Sequence, residues 1–136
     1  MLVIRDAQMA ALQRARDLAF ARWALGYLRD AVPAAVPDDD AVCLERIVAG
    51  LRQSRHYRFG TRSAVVRYVE LMFELAPRFD ELPGIRRALA GGERSPDLAI
   101  HSAKRLLGVE DWALIHATDR EEAWRGLVED TPALER

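Results

Sequence analysis

The side chains best suited to chemistry in this 136-residue chain are three histidines, one cysteine and a run of three aspartates. His56, His101 and His116 could move protons or hold a metal. None stands in a metal-ligating spacing such as His-Glu-x-x-His, and Cys43 has no second cysteine with which to share a zinc ion. Catalytic histidine needs a partner within hydrogen-bond reach, and His101 and His116 fall on different predicted helices. Asp38, Asp39 and Asp40 look like a fragment of a calcium loop, but no turn glycine or distal bidentate carboxylate follows at the required spacing. They stand where a helix begins, and there negative charge complements the macrodipole, so capping is the role they suit. Asp80-Glu81 and Glu121-Glu122 are adjacent, which turns their side chains apart on a helix and predicts solvated charges rather than a catalytic dyad. No Gly-x-Ser-x-Gly elbow, phosphate-binding loop or dinucleotide fingerprint occurs. The expectation is a chain without catalytic residues, cofactor or metal.

The elements that carry these residues are helices, because apolar residues recur at three- and four-residue spacing and strand-like alternation is missing. A first helix is predicted from about Asp6 to Ala31, with Met9, Leu12, Ala15, Ala19, Trp23 and Tyr27 building its apolar face and Leu18, Leu25 and Leu28 widening it. Val32-Pro33 ends it, and a proline- and aspartate-rich linker runs to Asp40. Helix two follows from about Asp39 to Tyr57, closed at Phe59-Gly60 with glycine expected in the positive-φ position. Thr61 or Ser63 then caps a very apolar central helix over about 61–75. A short helix is expected at Gly84–Ala90 and a loop at Gly91-Gly92. Another helix starts at Ser95-Pro96 and stops at Gly108, two short ones span about 110–117 and 119–129, and a frayed tail begins at Thr131. The predicted fold is an all-α, single-domain bundle of about five to seven helices over 1–136, with 1–90 as core bundle and 91–136 as a C-terminal helical extension.

Composition narrows the function classes. Half the residues are hydrophobic and 30% are charged, which suits a soluble globular domain and excludes disorder. A net charge of −1 offers no global field for nucleic acid or an anionic membrane. No apolar stretch approaches the roughly 20 residues of a membrane span, and Met1 to Ile4 is too short for a signal-peptide core. One unpaired cysteine fits a reducing compartment, so a cytoplasmic protein is expected. Lys104 is the only lysine, which matches the alanine-rich, arginine-rich usage of a GC-rich genome better than an anion-binding design.

Charge divides unevenly: residues 95–136 hold nine acids against five bases. Tryptophan is enriched at interface hot spots and rim charge steers association. Asp111, Trp112, Asp119, Glu121, Glu122 and Trp124 are therefore the candidate partner-binding residues. The layout of helix two, turn and helix three also mimics a helix-turn-helix, although its second helix would offer mainly Val, Tyr, Leu, Met and Phe to the bases. At IRDAQMAAL (residues 4–12), FARWALGYLRD (20–30) and RYVELMFELAPRFDELP (67–83) the chain resembles small helical bacterial proteins of type VI secretion effector and spike gene neighbourhoods. The resemblance covers roughly residues 3–90, and the part from Gly91 onward departs from the shorter form. It implies a non-enzymatic accessory, adaptor or immunity-type partner of a secreted effector or spike component; the helix-turn-helix layout supplies the alternative, a helical DNA-binding regulator. The resemblance carries no catalytic residues.

Overall fold

Helix starts follow the capping side chains that the sequence supplies. Asp39 accepts from the N–H groups of Ala41 and Val42, Thr61 from Ala64, Ser95 from Leu98 and Asp119 from Glu122. Each satisfies a donor that a helix would otherwise leave unpaired. The computed structural model describes residues 2–90 and 95–131. In chain order the helices are α1 (Leu2–Ala31), α2 (Asp40–Ser54), α3 (Arg62–Glu74), α4 (Pro83–Leu89), α5 (Pro96–His101), α6 (Val109–Ala117) and α7 (Arg120–Glu129). Turns of 3-10 helix at Pro33–Ala35, Arg55–Tyr57, Phe79–Glu81 and Ala103–Leu106 link several of them. The described residues form one all-α domain without strands. The predicted loop at Gly91-Gly92 and the tail past Thr131 lie outside the described residues.

Three local details differ from expectation. Helix one begins at Leu2, not Asp6, and the helix expected from Ser95 to Gly108 is α5 followed by a 3-10 turn. The left-handed residue that closes α2 is Arg58, at φ 53°, rather than Gly60. Gly60 instead donates its N–H to Asp97, 2.8 Å away, so its role is to meet α5.

α2 lies between α1 and α3, α7 packs against α2, and α5 packs against both α3 and α4. Residues from every helix enter one core, including Ile100, Ile115, Trp124 and Leu127 from the C-terminal third. α2 and α3 approach closely because Gly50 has no side chain: a Cβ there would stand 2.9 Å from Met72 Sδ. α3 buries Ala64, Val66, Tyr68, Val69, Leu71, Met72 and Phe73, and also Glu70, so it is less purely apolar than its pattern suggests. Around Tyr68 at its middle, Tyr57, Phe59 and Phe79 form a cluster with ring centroids 5.2–5.9 Å apart. Asp80 is buried beneath this cluster and accepts from the hydroxyls of Tyr57 and Tyr68, the latter at 3.1 Å. It is thus not the solvated charge expected of the Asp80-Glu81 pair, because two phenols replace water around it.

α1 buries only the widening part of its predicted apolar face, Leu25 and Leu28 with Leu18 half-buried. The side it buries carries Asp17, Ala21, Ala24, Leu25 and Leu28, whereas Met9, Leu12, Ala15, Ala19, Trp23 and Tyr27 are exposed. The small alanines allow close approach to α2, and Asp17 meets the arginines of that helix. Asp17 Oδ1 lies 2.5 Å from Arg55 Nη2 and 2.9 Å from Gln13 Nε2, and its Oδ2 lies 3.4 Å from Arg52 Nε. From residue 5 to residue 16 no α1 residue is buried and only Arg14 is half-buried, so most of this half of the helix is exposed. At 1.5 Å per residue it reaches about 20 Å.

Candidate functional site

The structure disperses the six sequence-predicted binding residues. Trp124 is 3% exposed and packs against Phe73 in a tilted pair with ring centroids 4.9 Å apart, so it is a core residue and not an exposed anchor. Asp111 is buried as well; its Oδ2 accepts the Gly108 N–H at 2.8 Å and so closes the start of α6. Asp119 caps α7. Glu121 is bound to Arg46, with Oε2 2.6 Å from Nη2, and that hydrogen bond holds its carboxyl below the usual range. Arg46 in turn lies over Trp124, 5.5 Å from the ring centroid. Glu121 and Trp124 thus belong to a single shallow groove of about 230 Å³ between α2 and α7. Trp112 and Glu122 are exposed, and Trp112 lies beside His116 and the exposed Val109 and Leu114 on α6.

A larger groove, about 530 Å³, opens between α1, α3 and α5. Trp23 and Tyr27 form one wall, stacked with their planes 12° apart, and Val66 lies between them and the polar rim. The i, i+4 spacing on α1 sets these two rings one turn apart on the same face. Arg62, at the start of α3, places its guanidinium 4.3 Å from the Trp23 ring centroid and 5.6 Å from that of Phe20. Tyr27 donates to Glu70 at 3.1 Å, and Arg67 pairs with the same carboxylate at 3.0 Å. Burial and the Glu70 charge both push the Tyr27 phenol upward, so it stays a neutral donor. The site presents a flat aromatic wall with cationic and hydrogen-bonding groups along its edge.

The far rim holds the one arrangement with catalytic overtones. Ser63 Oγ lies 3.4 Å from His101 Nε2, and Asp97 accepts from Gly60 N–H at 2.8 Å and Thr61 Oγ1 at 2.7 Å. The backbone hydrogen bond from Gly60 is the chief reason the Asp97 carboxyl lies below its usual range. Asp97 is therefore spent on the loop before α3, and tethers α5 to it. His56 and His116 are exposed on other elements. Cys43 is buried, donates to the Pro37 carbonyl at 3.1 Å, and has its thiol pushed up by burial, the state of an unreactive sulfur. Of the three aspartates, Asp39 caps α2 and Asp40 pairs with Arg29 at 2.6 Å. Among the described residues no group of three or more histidine, cysteine, aspartate or glutamate side chains could hold a metal ion. No described helix is long and apolar enough to cross a membrane.

Sequence reasoning missed Trp23, Tyr27 and Arg62 as surface groups because large apolar residues at helical spacing read as core. The signal that separates them is the second stripe, Asp17-Ala21-Ala24-Leu25-Leu28, whose acid matches Arg52 and Arg55 on α2. No protein-family model, curated protein or solved structure matches the chain.

Proposed function

We propose that the chain is a non-enzymatic protein-interaction module that binds a partner protein through the α1 face and its adjoining groove. The observation that carries this reading is the exposure of Met9, Leu12, Trp23 and Tyr27, at 63, 52, 48 and 39%, along one side of one helix. Single exposed apolar residues are ordinary, but a contiguous apolar patch with a polar rim marks an interaction surface. Trp, Tyr and Arg are the residue types that dominate interface energetics, and all three meet at this groove. In the setting implied by the resemblance, the module serves in the cytoplasm as an accessory, adaptor or immunity-type partner of a type VI secretion effector or spike protein. The exposed Trp112 and Glu122 provide a second, smaller contact surface on the C-terminal helices. The DNA-binding alternative is disfavoured because α3, the would-be recognition helix, buries eight of its thirteen residues.

The test is binding kinetics against the products of neighbouring genes, with duplex DNA as control. A cognate partner should bind the wild-type chain, and Trp23→Ala should weaken it by about 2 kcal/mol, chiefly through faster dissociation. Equal binding by the wild type and by Trp23→Ala and Leu12→Ala variants would remove the α1 face from the reading. Tight, salt-sensitive binding to DNA would replace it with the regulator.

A further inference from the structure

We infer that α1 pairs antiparallel with α1 of a second copy of this chain, about a two-fold axis between residues 17 and 18. This assignment rests on the reading that the α1 face binds protein, and it names the first occupant of that face. The exposed stripe repeats at three- and four-residue intervals: Arg5, Met9, Leu12, Arg16, Ala19, Trp23, Gly26 and Asp30, every one exposed. Its apolar members, Met9, Leu12, Ala19 and Trp23, keep the spacing of a two-helix coiled-coil seam, in which each residue of one helix packs into a gap on the other, and charged residues stand at the ends and middle. Antiparallel helices present opposite ends to each other, so the residue facing position n has number 35 − n when the axis lies at 17.5.

That register matches residue by residue. Arg5 faces Asp30, Met9 faces Gly26, Leu12 faces Trp23 and Arg16 faces Ala19. In each apolar layer a large side chain meets a smaller one, and among the described residues nothing beyond its own stretch of helix lies within 4 Å of where a Gly26 Cβ would be. The outermost layers bring opposite charges together at both ends. Among the described residues neither Arg5, Arg16 nor Asp30 has an intramolecular ion pair, so these charges are available to a second copy. A parallel pairing would set Arg5 on Arg5, Arg16 on Arg16, Trp23 on Trp23 and Asp30 on Asp30. Like charges in contact oppose association; the antiparallel form keeps only the two Arg16 near each other at the axis and pairs Arg5 with Asp30 at both ends, so the end charges favour it.

Size and support point the same way. Residues 5–30 give a strip about 38 Å long on a helix about 10 Å wide. Two such strips cover about 760 Å² in total, and the α3 wall of the groove extends the contact toward the roughly 1,000 Å² at which specific interfaces begin. The seam lies about 150° around the helix from the side that packs on α2, so the two bundles stand on opposite flanks without collision. The half of α1 that the bundle leaves uncovered, residues 5–16, would lie along the Trp23–Tyr27 half of the second copy. Isolated helices of this length are marginal in water, and the second copy supplies the missing packing twice, once on each side of the axis.

Sedimentation velocity on the full chain tests this from about 1 to about 100 µM, the range in which an interface of this size exchanges between monomer and dimer. The wild type should pass from the 15.3 kDa monomer toward twice that mass. Leu12→Glu, at an exposed position (52%) where substitution should leave the far-ultraviolet dichroism unchanged, should remain monomeric throughout. Arg5→Asp and Asp30→Arg should each weaken the dimer about five- to tenfold, because each reversal creates like pairs at both ends. The double variant Arg5→Asp/Asp30→Arg should recover to within about threefold of wild type, a rescue that only the antiparallel register predicts. A wild-type chain that is monomeric at about 100 µM, or a dimer indifferent to these charges, overturns the inference. If that monomer still loses a protein partner on Trp23→Ala, the binding reading of the face stands; if it loses none, both fall.

Discussion

Asp17 is a carboxylate at 2% exposure whose oxygens are shared among Arg55, Arg52 and Gln13. Burial raises its pKa, but the hydrogen bonds from Arg55, Gln13 and Arg52 outweigh that and hold it below the usual 3.8. A depressed carboxyl contributes stability that is present above the unfolded value and is lost as pH falls through the folded one. The wild type should therefore lose stability below about pH 3.8 more steeply than Asp17→Asn, as measured by denaturant melts at pH 5 and pH 3. At neutral pH Asp17→Ala should cost about 2–3 kcal/mol, less than for a fully buried pair because Arg55 is nearly half exposed and water can take over its charge. Trp124 and Trp112 make a second contrast between single side chains. Trp124→Ala should cost about 3–5 kcal/mol in a urea melt, since it empties the space against Phe73. Trp112→Ala, at 39% exposure, should cost less than about 1.5 kcal/mol by the same melt. Comparable losses at both positions would show that α6 is held more tightly than its exposure indicates.

At the scale of the element, α4 depends on one missing side chain. A Cβ on Gly84 would stand 2.5 Å from the Leu106 carbonyl oxygen and 3.1 Å from Asp111 Oδ2. Backbone cannot move aside as a flexible side chain can, so Gly84→Ala should destabilise by about 1–3 kcal/mol despite the better helix propensity of alanine. A neutral or higher melting temperature for that variant would mean that α4 and the 3-10 turn before α6 separate freely. How far such elements could be read beforehand depends on how local their causes are. Asp39, Thr61, Ser95 and Asp119 were legible as helix starts because capping involves only the next two or three residues. The orientation of α1 was not, because two stripes of that helix are compatible with burial and the choice is made by α2. Arg52 and the C-cap Arg55 at its end select the smaller stripe with the acid, and leave the larger one outside. The groove was illegible for the same reason: Trp23 and Arg62 are 39 positions apart in the chain, and no local pattern joins them. Asp80 escaped notice because its partners, Tyr57 and Tyr68, come from two different elements.

For the whole molecule, the tyrosines set an upper limit on pH. Burial first, and the Asp80 carboxylate next, raise both Tyr57 and Tyr68 well above the usual phenol value of 10.0. An acid held neutral in the folded state but free to ionise in the unfolded one favours unfolding once the pH passes its unfolded value. Stability should thus be level up to about pH 10 and fall beyond it, and Tyr68→Phe should fall less steeply over the same interval. Equal slopes for the two proteins in melts at pH 9 and pH 11 would remove Tyr68 as a source of that sensitivity. The six-residue partner surface expected in the C-terminal third gives way here to a division of labour. Asp111, Asp119, Glu121 and Trp124 hold the last two helices to the bundle, and Trp112 and Glu122 face outward.

The uncovered half of α1 also determines where the chain is open to cutting. Proteases need an extended backbone, and a segment can supply one cheaply when unwinding it exposes nothing that was buried. Residues 5–16 contribute no buried residue, and the trypsin sites at Arg5, Arg14 and Arg16 all fall within them. Opening there costs local helix, the Gln13–Asp17 hydrogen bond and the cover of the half-buried Arg14, whereas opening past Asp17 pulls apart the contact with α2. Brief digestion of dilute protein should accordingly trim the chain in steps and then stall near Arg16, leaving a fragment that retains the core. At concentrations where two copies pair, the same bonds should be cut more slowly, so the resistance of one stretch of helix becomes a gauge of association.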